Sequence, residues 1–350
     1  MLTGIRLFLH LVMLMPVAIQ RVMSIFLFPV SETGNTRVGI IGTTPFHLIL
    51  YSVIVVAITW FLMKSETRSL IRTKRLLREK ERALFEIEYQ RADLEFKNKS
   101  ITDSLTYAQR IQEALLPSAT YLKKYFSESF IFYKPKDIVS GDFYWIGEKD
   151  LKKYIVAADC TGHGVPGALM SMIGHNLLEK IIISENTDHP AMILDRMNSA
   201  LDETFNRDKN VGTTIRDGMD MGVCVIDAKN KRLEFAGAFF PLYIIRDNKL
   251  LEIKGDKCTL GMATDSSFYK NTEMDLEEND ILYLFSDGYV DQFGGEKNKK
   301  FMYRRFRYLL ITIHSFPLAD QCSILEDNIK TWQGNNPQVD DFLIIGFKPL

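Results

Sequence analysis

Four stretches of this chain place an aspartate at the edge of a strongly apolar run: Asp142 in SGDFYW, Asp159 in VAADCTGHG, Asp287 in LYLFSDGYVD, and Asp340 with Asp341 in VDDFLIIGF. The runs are short, rich in β-branched and aromatic residues and bounded by turn formers, the pattern of a strand. A carboxylate at the end of a buried strand is costly to desolvate unless it is paired or faces a cation. Four strands ending alike therefore predict that their termini meet and share one site. The set holds oxygen ligands only, with no His or Cys, so the predicted occupants are hard ions, Mg2+ or Mn2+. Gly141, Gly162, Gly164 and Gly288 beside the aspartates allow the backbone to approach an ion or phosphate closely. Taken singly, Gly141-Asp142 and Ser286-Asp287-Gly288 read as ordinary turns, and Asp340-Asp341 as a cap or loop. Their recurrence at strand ends is what argues for a site.

The rest of the C-terminal region supports this. Apolar runs at 154–158, 222–226, 233–236, 242–245, 281–285 and 342–347 read as strands, several continuous enough to be buried on both faces. One helix starts near Val165-Pro166 and runs toward Ile181; another, from about 190 to 205, carries Ile193, Met197, Leu201 and Phe205 on one stripe. Strands outnumber helices and include hairpin neighbours, which predicts an α+β sandwich rather than a doubly wound parallel sheet.

The N-terminal third has a different texture. Residues 45–63 carry no formal charge, and at about 1.5 Å per residue such a helix approaches the roughly 30 Å of a bilayer core. Trp60 and a following basic stretch suit an interface anchor. We read this run as a transmembrane helix. An earlier apolar stretch, 7–30, is interrupted by His10, Pro16, Gln20 and Arg21, and its rival reading is a signal peptide behind Arg6. No small-x-small cleavage site follows, so one or two membrane helices are expected. Residues 64–82 hold eight Lys/Arg against three Glu, which by the positive-inside rule puts everything after Met63 in the cytoplasm, with the chain in the inner membrane. Leu70, Leu77 and Leu84, then Ile87, Leu94, Ile101 and Ala108, recur every seven residues. This predicts a helical linker able to form a homodimeric coiled coil, although Arg91, Asn98 and Gln112 interrupt one row; a single solvated helix packed on the next domain is the alternative. The helix should end at Pro117. The expected organisation is a membrane region at 1–63, a linker at 64–127 and a catalytic domain at 128–350.

Composition excludes several classes. With 43 Lys+Arg against 44 Asp+Glu and 46% hydrophobic residues, the chain is neither disordered nor a nucleic-acid-coating protein, and no nucleic-acid partner is expected. Cys160, Cys224, Cys258 and Cys322 are far apart without a CxxC pair, which argues against a zinc cluster or disulfide framework.

In order along the chain, SGDFYW, ADCTGHGVPGALMS, GMDMGVCVID, FSDGYVDQFGG and VDDFLIIGF resemble the SpoIIE/RsbU-type branch of the metal-dependent (type 2C, PPM) protein serine/threonine phosphatases. The resemblance covers about residues 128–350, and YAQRIQEALLP resembles the linker preceding this domain in sensor-coupled members. It implies a central β-sandwich flanked by helices, with two Mn2+ or Mg2+ at one end. By position, Asp159 would bridge both ions, Asp142 and the backbone carbonyl of Cys160 would complete one, and Asp287 and Asp340 the other. Asp341 would sit beside the cluster, His163 would be a structural loop residue near it, and Asp220 either a partner of a ligand or a salt-bridged core residue. Two positions depart from the family pattern: Leu343, where a small polar residue is common, and Phe239-Phe240-Pro241, where Asn often precedes the Pro.

The implied chemistry is attack of metal-activated water on a phosphoserine or phosphothreonine, with charge on the phosphoryl oxygens stabilised by the cations. No cysteine nucleophile is needed, and CTGHGVPG lacks the Arg of a phosphocysteine loop. The implied substrate is a phosphoprotein, of the STAS-type anti-sigma-factor antagonist class. Rival readings are a membrane-tethered nucleotide cyclase, whose purine-selecting Lys and Asn/Arg pair find no place here, and a non-catalytic signalling scaffold. A histidine kinase lacks its phosphoacceptor motif in this sequence.

Overall fold

Strands that are apolar at every position need cover on both faces, and the architecture supplies it in four layers. The computed structural model describes residues 45–205, 217–262 and 269–350. The stretch at 7–30, with its signal-peptide alternative, lies outside them. Two compact units, Met1–Tyr89 and Gln90–Leu350, make up the chain.

Helix α1, Pro45–Leu115, is followed by α2, Ala119–Tyr125, and strand β1, Ser129–Lys134. Strands β2, Phe143–Lys149, and β3, Lys152–Cys160, form a hairpin. Helix α3, Gly164–Glu179, a π-helical turn, Lys180–Ser184, and helix α4, Pro190–Phe205, come next. Then follow β4, Met219–Asp227, β5, Arg232–Ala238, β6, Leu242–Arg246, β7, Lys249–Ile253, β8, Thr272–Asp275, and β9, Ile281–Phe285. A short helix α5, Gly288–Asp291, a small hairpin of β10, Phe293–Gly294, and β11, Lys299–Lys300, helices α6, Tyr303–Ile313, and α7, Leu318–Gln333, and strand β12, Phe342–Phe347, complete the chain.

One antiparallel sheet has the order β1-β12-β9-β6-β7 and the other β2-β3-β4-β5-β8. Alternate residues of each strand belong to different cores, as the two-residue period of a strand requires. Ile155, Ala157, Cys224 and Ile226 meet Leu282, Leu284, Leu343 and Ile345 between the sheets. Val156, Ala158, Met221 and Val223 face outward under Leu178, Ile193, Met197 and Leu201 of α3 and α4. On the opposite side Tyr243, Tyr283, Phe285 and Ile344 pack under Phe306, Leu310, Leu325 and Ile329 of α6 and α7. This is the expected α+β sandwich. It excludes the ferredoxin-like sheet that the cyclase reading requires. Helices α6 and α7 were not foreseen from the sequence.

Helix α1 is continuous over all its 71 residues. Exposed i,i+4 pairs, Arg75–Glu79, Arg91–Glu95 and Asp93–Lys97, support it, each by about 0.3–0.5 kcal/mol. It ends at Leu115 because Pro117 disfavours helical backbone at Leu116. Leu70, Leu77, Leu84, Ile87, Leu94 and Ile101 are all exposed along it. Among the described residues no helix is long and apolar enough to cross a membrane, so the expectation of a span at residues 45–63 is not met there. Residues 52–63 form the described apolar part, and Lys64, Glu66 and Arg68 follow at once, with exposed side chains.

Candidate functional site

The antiparallel registers bring the predicted aspartates to one end of the sandwich. Phe143 of β2 pairs with Ala158 of β3, so Asp142 lies level with Asp159. Asp159 in turn is directly opposite Asp220 of β4. The flanking residues Phe143, Ala158, Met219 and Met221 all pack outward under the helices, so by strand alternation all three aspartates face the other sheet. There Asp287 follows the end of β9 and Asp340 and Asp341 precede β12, which pair side by side.

Ser286 joins the two sheets. Its hydroxyl donates to Asp142 Oδ2 at 2.6 Å and accepts from the Leu343 N–H at 3.1 Å. Asp341 is committed to backbone: its Oδ1 accepts from the Lys136 N–H and its Oδ2 from the Gly141 N–H, both at 2.7 Å. It therefore fastens the 136–141 loop to β12 beside the cluster. Two of the glycines, Gly141 and Gly288, are required by crowding. A Cβ on Gly141 would come within 2.7 Å of the Gly162 carbonyl, and one on Gly288 within 1.9 Å of the Asp341 carbonyl.

The electrostatics are those of crowded acids. Asp142 is buried and Asp159 nearly so; burial first, then neighbouring carboxylates, with Asp159 foremost for Asp142, push both well above the ordinary carboxylate range. For Asp159 those charges are Asp287, Asp340 and Asp220, while the carboxyl of Asp142 is within hydrogen-bond reach. Asp287 stands at the solvent-exposed mouth, yet surrounding protein, followed by Asp291, Asp340 and Asp220, raises it to about 6. Burial raises Asp340 and Asp220 as well. Among the described residues no Lys, Arg or His forms an ion pair with any of these five carboxylates. Desolvated acids with no direct ion pair, countered only by weaker pulls from Lys300 on Asp287 and from Lys136 and His163 on Asp340, are a donor set that fits hard divalent cations in chemistry and charge. As placed, no three His, Cys, Asp or Glu side chains among the described residues form a group that could hold one ion.

The remaining candidates separate. Cys160 is buried and burial pushes its thiol up, so it is not poised as a thiolate. His163 precedes the first turn of α3 with its Nδ1 at 2.8 Å from Asp137 Oδ2, a half-exposed pair beside the site. Asp220 is no salt-bridged core residue: its described partner is the Thr259 hydroxyl, which donates to Oδ1 at 2.8 Å.

Two residues that hold the cluster's backbone and side chains in place escaped sequence reasoning. Ser286 was inside the SDG motif but was read only as a turn residue. Gln112 of α1 is buried and clamps the loop before Asp142: its Nε2 donates to the Ser140 carbonyl at 2.7 Å and to Ser171 Oγ at 2.8 Å, while its Oε1 accepts from the Ser140 N–H at 3.0 Å. The Ser140 hydroxyl in turn accepts from the Asp142 N–H at 3.1 Å. The sequence signal was weak: Gln112 is one of three polar residues that interrupt a heptad row, and the other two, Arg91 and Asn98, are exposed.

Comparison with known proteins accords with this geometry. The family model for Stage II sporulation protein E (SpoIIE) matches residues 150–349. Phosphoserine phosphatase RsbU of Bacillus subtilis is 25% identical over 207 residues, covering 55% of this chain and 55% of RsbU. The chain thus spans about half the length of this relative. The SiaA-PP2C domain of Pseudomonas aeruginosa superposes with a TM-score of 0.65 at 35% identity, covering 72% of this chain and 98% of that domain. The PP2C phosphatase domain structure of SpoIIE from Bacillus subtilis, at 18% identity and a TM-score of 0.50 over 63% of this chain and 62% of that one, shares the fold. With more than half of its length matched by the family model and its sandwich by the SiaA domain, this chain belongs to the SpoIIE family and carries a PP2C-type serine/threonine phosphatase domain.

Proposed function

We propose that the chain is a membrane-tethered protein phosphatase that hydrolyses phosphoserine and phosphothreonine with water at a two-cation centre. The observation that carries this reading is the gathering of Asp142, Asp159, Asp287 and Asp340 at one end of the sandwich without a Lys or Arg partner among the described residues, in a chain of the SpoIIE family. Asp142, Asp159, the Cys160 carbonyl, Asp287 and Asp340 would hold two Mn2+ or Mg2+, with Asp159 shared. Such ions, when bound, supply Lewis acidity and bring the pKa of water from about 15.7 to about 7.

The chain's own residues prepare that site. The Ser286 hydroxyl, donating to Asp142, favours its ionised form against the burial that opposes it. Asp341 and Gln112 fix the 136–142 loop by backbone hydrogen bonds, which holds Asp142 level with Asp159. Exposed Asp287 leaves the mouth open to a phosphorylated side chain. The raised Cys160 thiol disfavours any cysteinyl-phosphate route.

The substrate we propose is a phosphoprotein of the STAS-type anti-sigma-factor antagonist class. Tethering to the inner membrane with the catalytic domain in the cytoplasm is supported by the uncharged residues 45–63 followed by the basic 64–82. Homodimerisation through α1 is supported by its exposed heptad row. A second reading, a non-catalytic scaffold, draws on the absence among the described residues of a group placed to hold an ion. Assaying Mn2+-dependent release of phosphate from a phosphoprotein separates the two. Asp159→Asn should lower the rate by at least about 100-fold with the fold retained; retention of most activity rejects the shared-ligand role, and no metal-dependent activity in the unmutated chain favours the scaffold.

A further inference from the structure

Phe239 and Met302 are bulky apolar residues held in left-handed backbone, at φ 49° and 73°. Most other non-glycine residues in that half of φ, among the described residues, are Asn or Asp, which tolerate it. A third apolar one, Leu151, lies in the two-residue turn between β2 and β3, where such tight turns demand positive φ. No hairpin accounts for the other two: Phe239 joins β5 to β6, which belong to different sheets, and Met302 joins β11 to α6. At φ 73° and ψ 146° Met302 is in a region kept essentially for glycine. Both are nonetheless firmly held. The Phe239 N–H donates to the Asp256 carbonyl at 2.8 Å and the Asp256 N–H to the Gly237 carbonyl at 2.7 Å, while Phe240 is buried between the sheets. The Met302 N–H donates to the Val290 carbonyl at 2.7 Å, and its own carbonyl accepts from the Arg305 and Phe306 N–H groups at 3.0 and 3.2 Å. Their side chains are 50% and 53% exposed, so burial of the side chain does not offset the strain.

What the two share is their place. Asp142, Asp159 and Asp220 stand in one row across the ends of β2, β3 and β4. Ala238 of β5 pairs with Met221 of β4, so Phe239 is next in that row, two strand spacings or about 10 Å from Asp159. Met302 is bonded to α5, the short helix that starts directly after Asp287. Its neighbour Tyr303 packs on Phe285, and burial, then the charge of Asp287, push the Tyr303 hydroxyl up to about 12. Backbone strain that the surroundings enforce collects at ligand contacts, and here it leaves an apolar side chain open to solvent at the end of each sheet, beside the acids. Resting on the reading of the chain as a phosphoserine phosphatase, we propose that Phe239 and Met302 are its specificity residues, contacting apolar side chains that flank the phosphorylated residue. The substrate is then a phosphoprotein whose phosphoserine lies among apolar neighbours, and polar flanks gain nothing from this rim.

The test compares kcat/KM of the full chain, with Mn2+, on two peptides: one with leucines on both sides of a phosphoserine, the other with serines in their place. The unmutated chain should favour the leucine peptide by about 10-fold, the low end for discrimination by apolar contact. Phe239→Asn and Met302→Gly should each cut that ratio by at least about threefold. Both replacements are at home in left-handed backbone and should raise the thermal midpoint, which separates lost preference from lost fold. Phe316→Asn, equally exposed beyond the far end of α6, should leave the ratio where it is. A ratio near one in the unmutated chain, a ratio that survives both substitutions, or cleavage of p-nitrophenyl phosphate but of neither peptide overturns the assignment and leaves the phosphatase reading in place. If p-nitrophenyl phosphate is not cleaved either, the phosphatase reading itself falls and this assignment with it.

Discussion

Replacing Gln112 by Leu, of similar volume, removes one side chain that holds two parts of the site together. Three hydrogen bonds disappear, to the Ser140 carbonyl, the Ser140 N–H and Ser171 Oγ, at 2.7, 3.0 and 2.8 Å. The Ser171 hydroxyl keeps its bond to the Ala168 carbonyl at 2.9 Å, so the loss falls on the Ser140 peptide groups, in a region that is buried. A buried backbone group left without a partner costs about 1–3 kcal/mol, and with two such groups partly compensated by the long contact from Ser171 at 3.5 Å we expect about 3 kcal/mol in all. That is roughly a 100-fold shift in the folded-to-unfolded ratio. Urea unfolding of the variant, beside Tyr107→Ala on the exposed face of the same helix, measures it; the exposed control should move by less than about 0.5 kcal/mol. Because the Ser140 hydroxyl holds the Asp142 N–H, Mn2+ affinity should fall as well. Gln112→Leu with a stability equal to that of the Tyr107 control would refute the clamp.

Two further outcomes follow from the same geometry. The carboxyls of Asp142, Asp159, Asp287 and Asp340 are raised above their ordinary range, so the folded state binds their protons more tightly than the unfolded chain does; their stabilising contribution is complete below about pH 4 and lost as pH rises, for Asp287 through about 6. The thermal midpoint of the metal-free protein should therefore fall between pH 5 and pH 7, and saturating Mn2+ should abolish the fall; a flat profile without metal would contradict the crowding of charge. Gly288→Ala places a Cβ 1.9 Å from the Asp341 carbonyl and should destabilise by about 3 kcal/mol, the upper end for overpacking, whereas Gly162→Ala meets nothing within 4 Å and only strains a φ of +85°, at about 1–2 kcal/mol. Equal unfolding midpoints for these two variants would show that β12 yields to the intrusion.

Much of the fold was legible because burial on both faces writes itself into a strand as an unbroken apolar run. The strands at 154–158, 281–285 and 342–347 were read in this way, and each is split between two cores. Helices α6 and α7 were missed because charged residues crowd their stripes: exposed Arg304, Arg305, Asp320 and Asp327, and half-buried Arg307, which bonds Tyr243 and Glu252. The N-terminal expectations fared differently. The linker region is helical, one long helix to Leu115 and a short one from Ala119 to Tyr125, while a membrane span is not met among the described residues.

The acid cluster divides in the same manner. The amino-acid order alone singled out the acids that the sandwich gathers at one end: Asp142, Asp159, Asp287 and Asp340 each sit at the edge of an apolar segment, and a carboxylate there needs a counter-charge wherever the chain takes it. Only the tertiary structure decided that Asp341 is spent on the Lys136 and Gly141 N–H groups, that Ser286 ties one sheet to the other, and that Asp220 stands opposite Asp159. Those outcomes depend on strand register and on which sheet faces which, and a shift of one residue in register would turn every one of these side chains to the other face. Local sequence sets the period of a strand, but the partner against which that period is read comes from segments more than 200 residues away, as between Lys136 and Asp341.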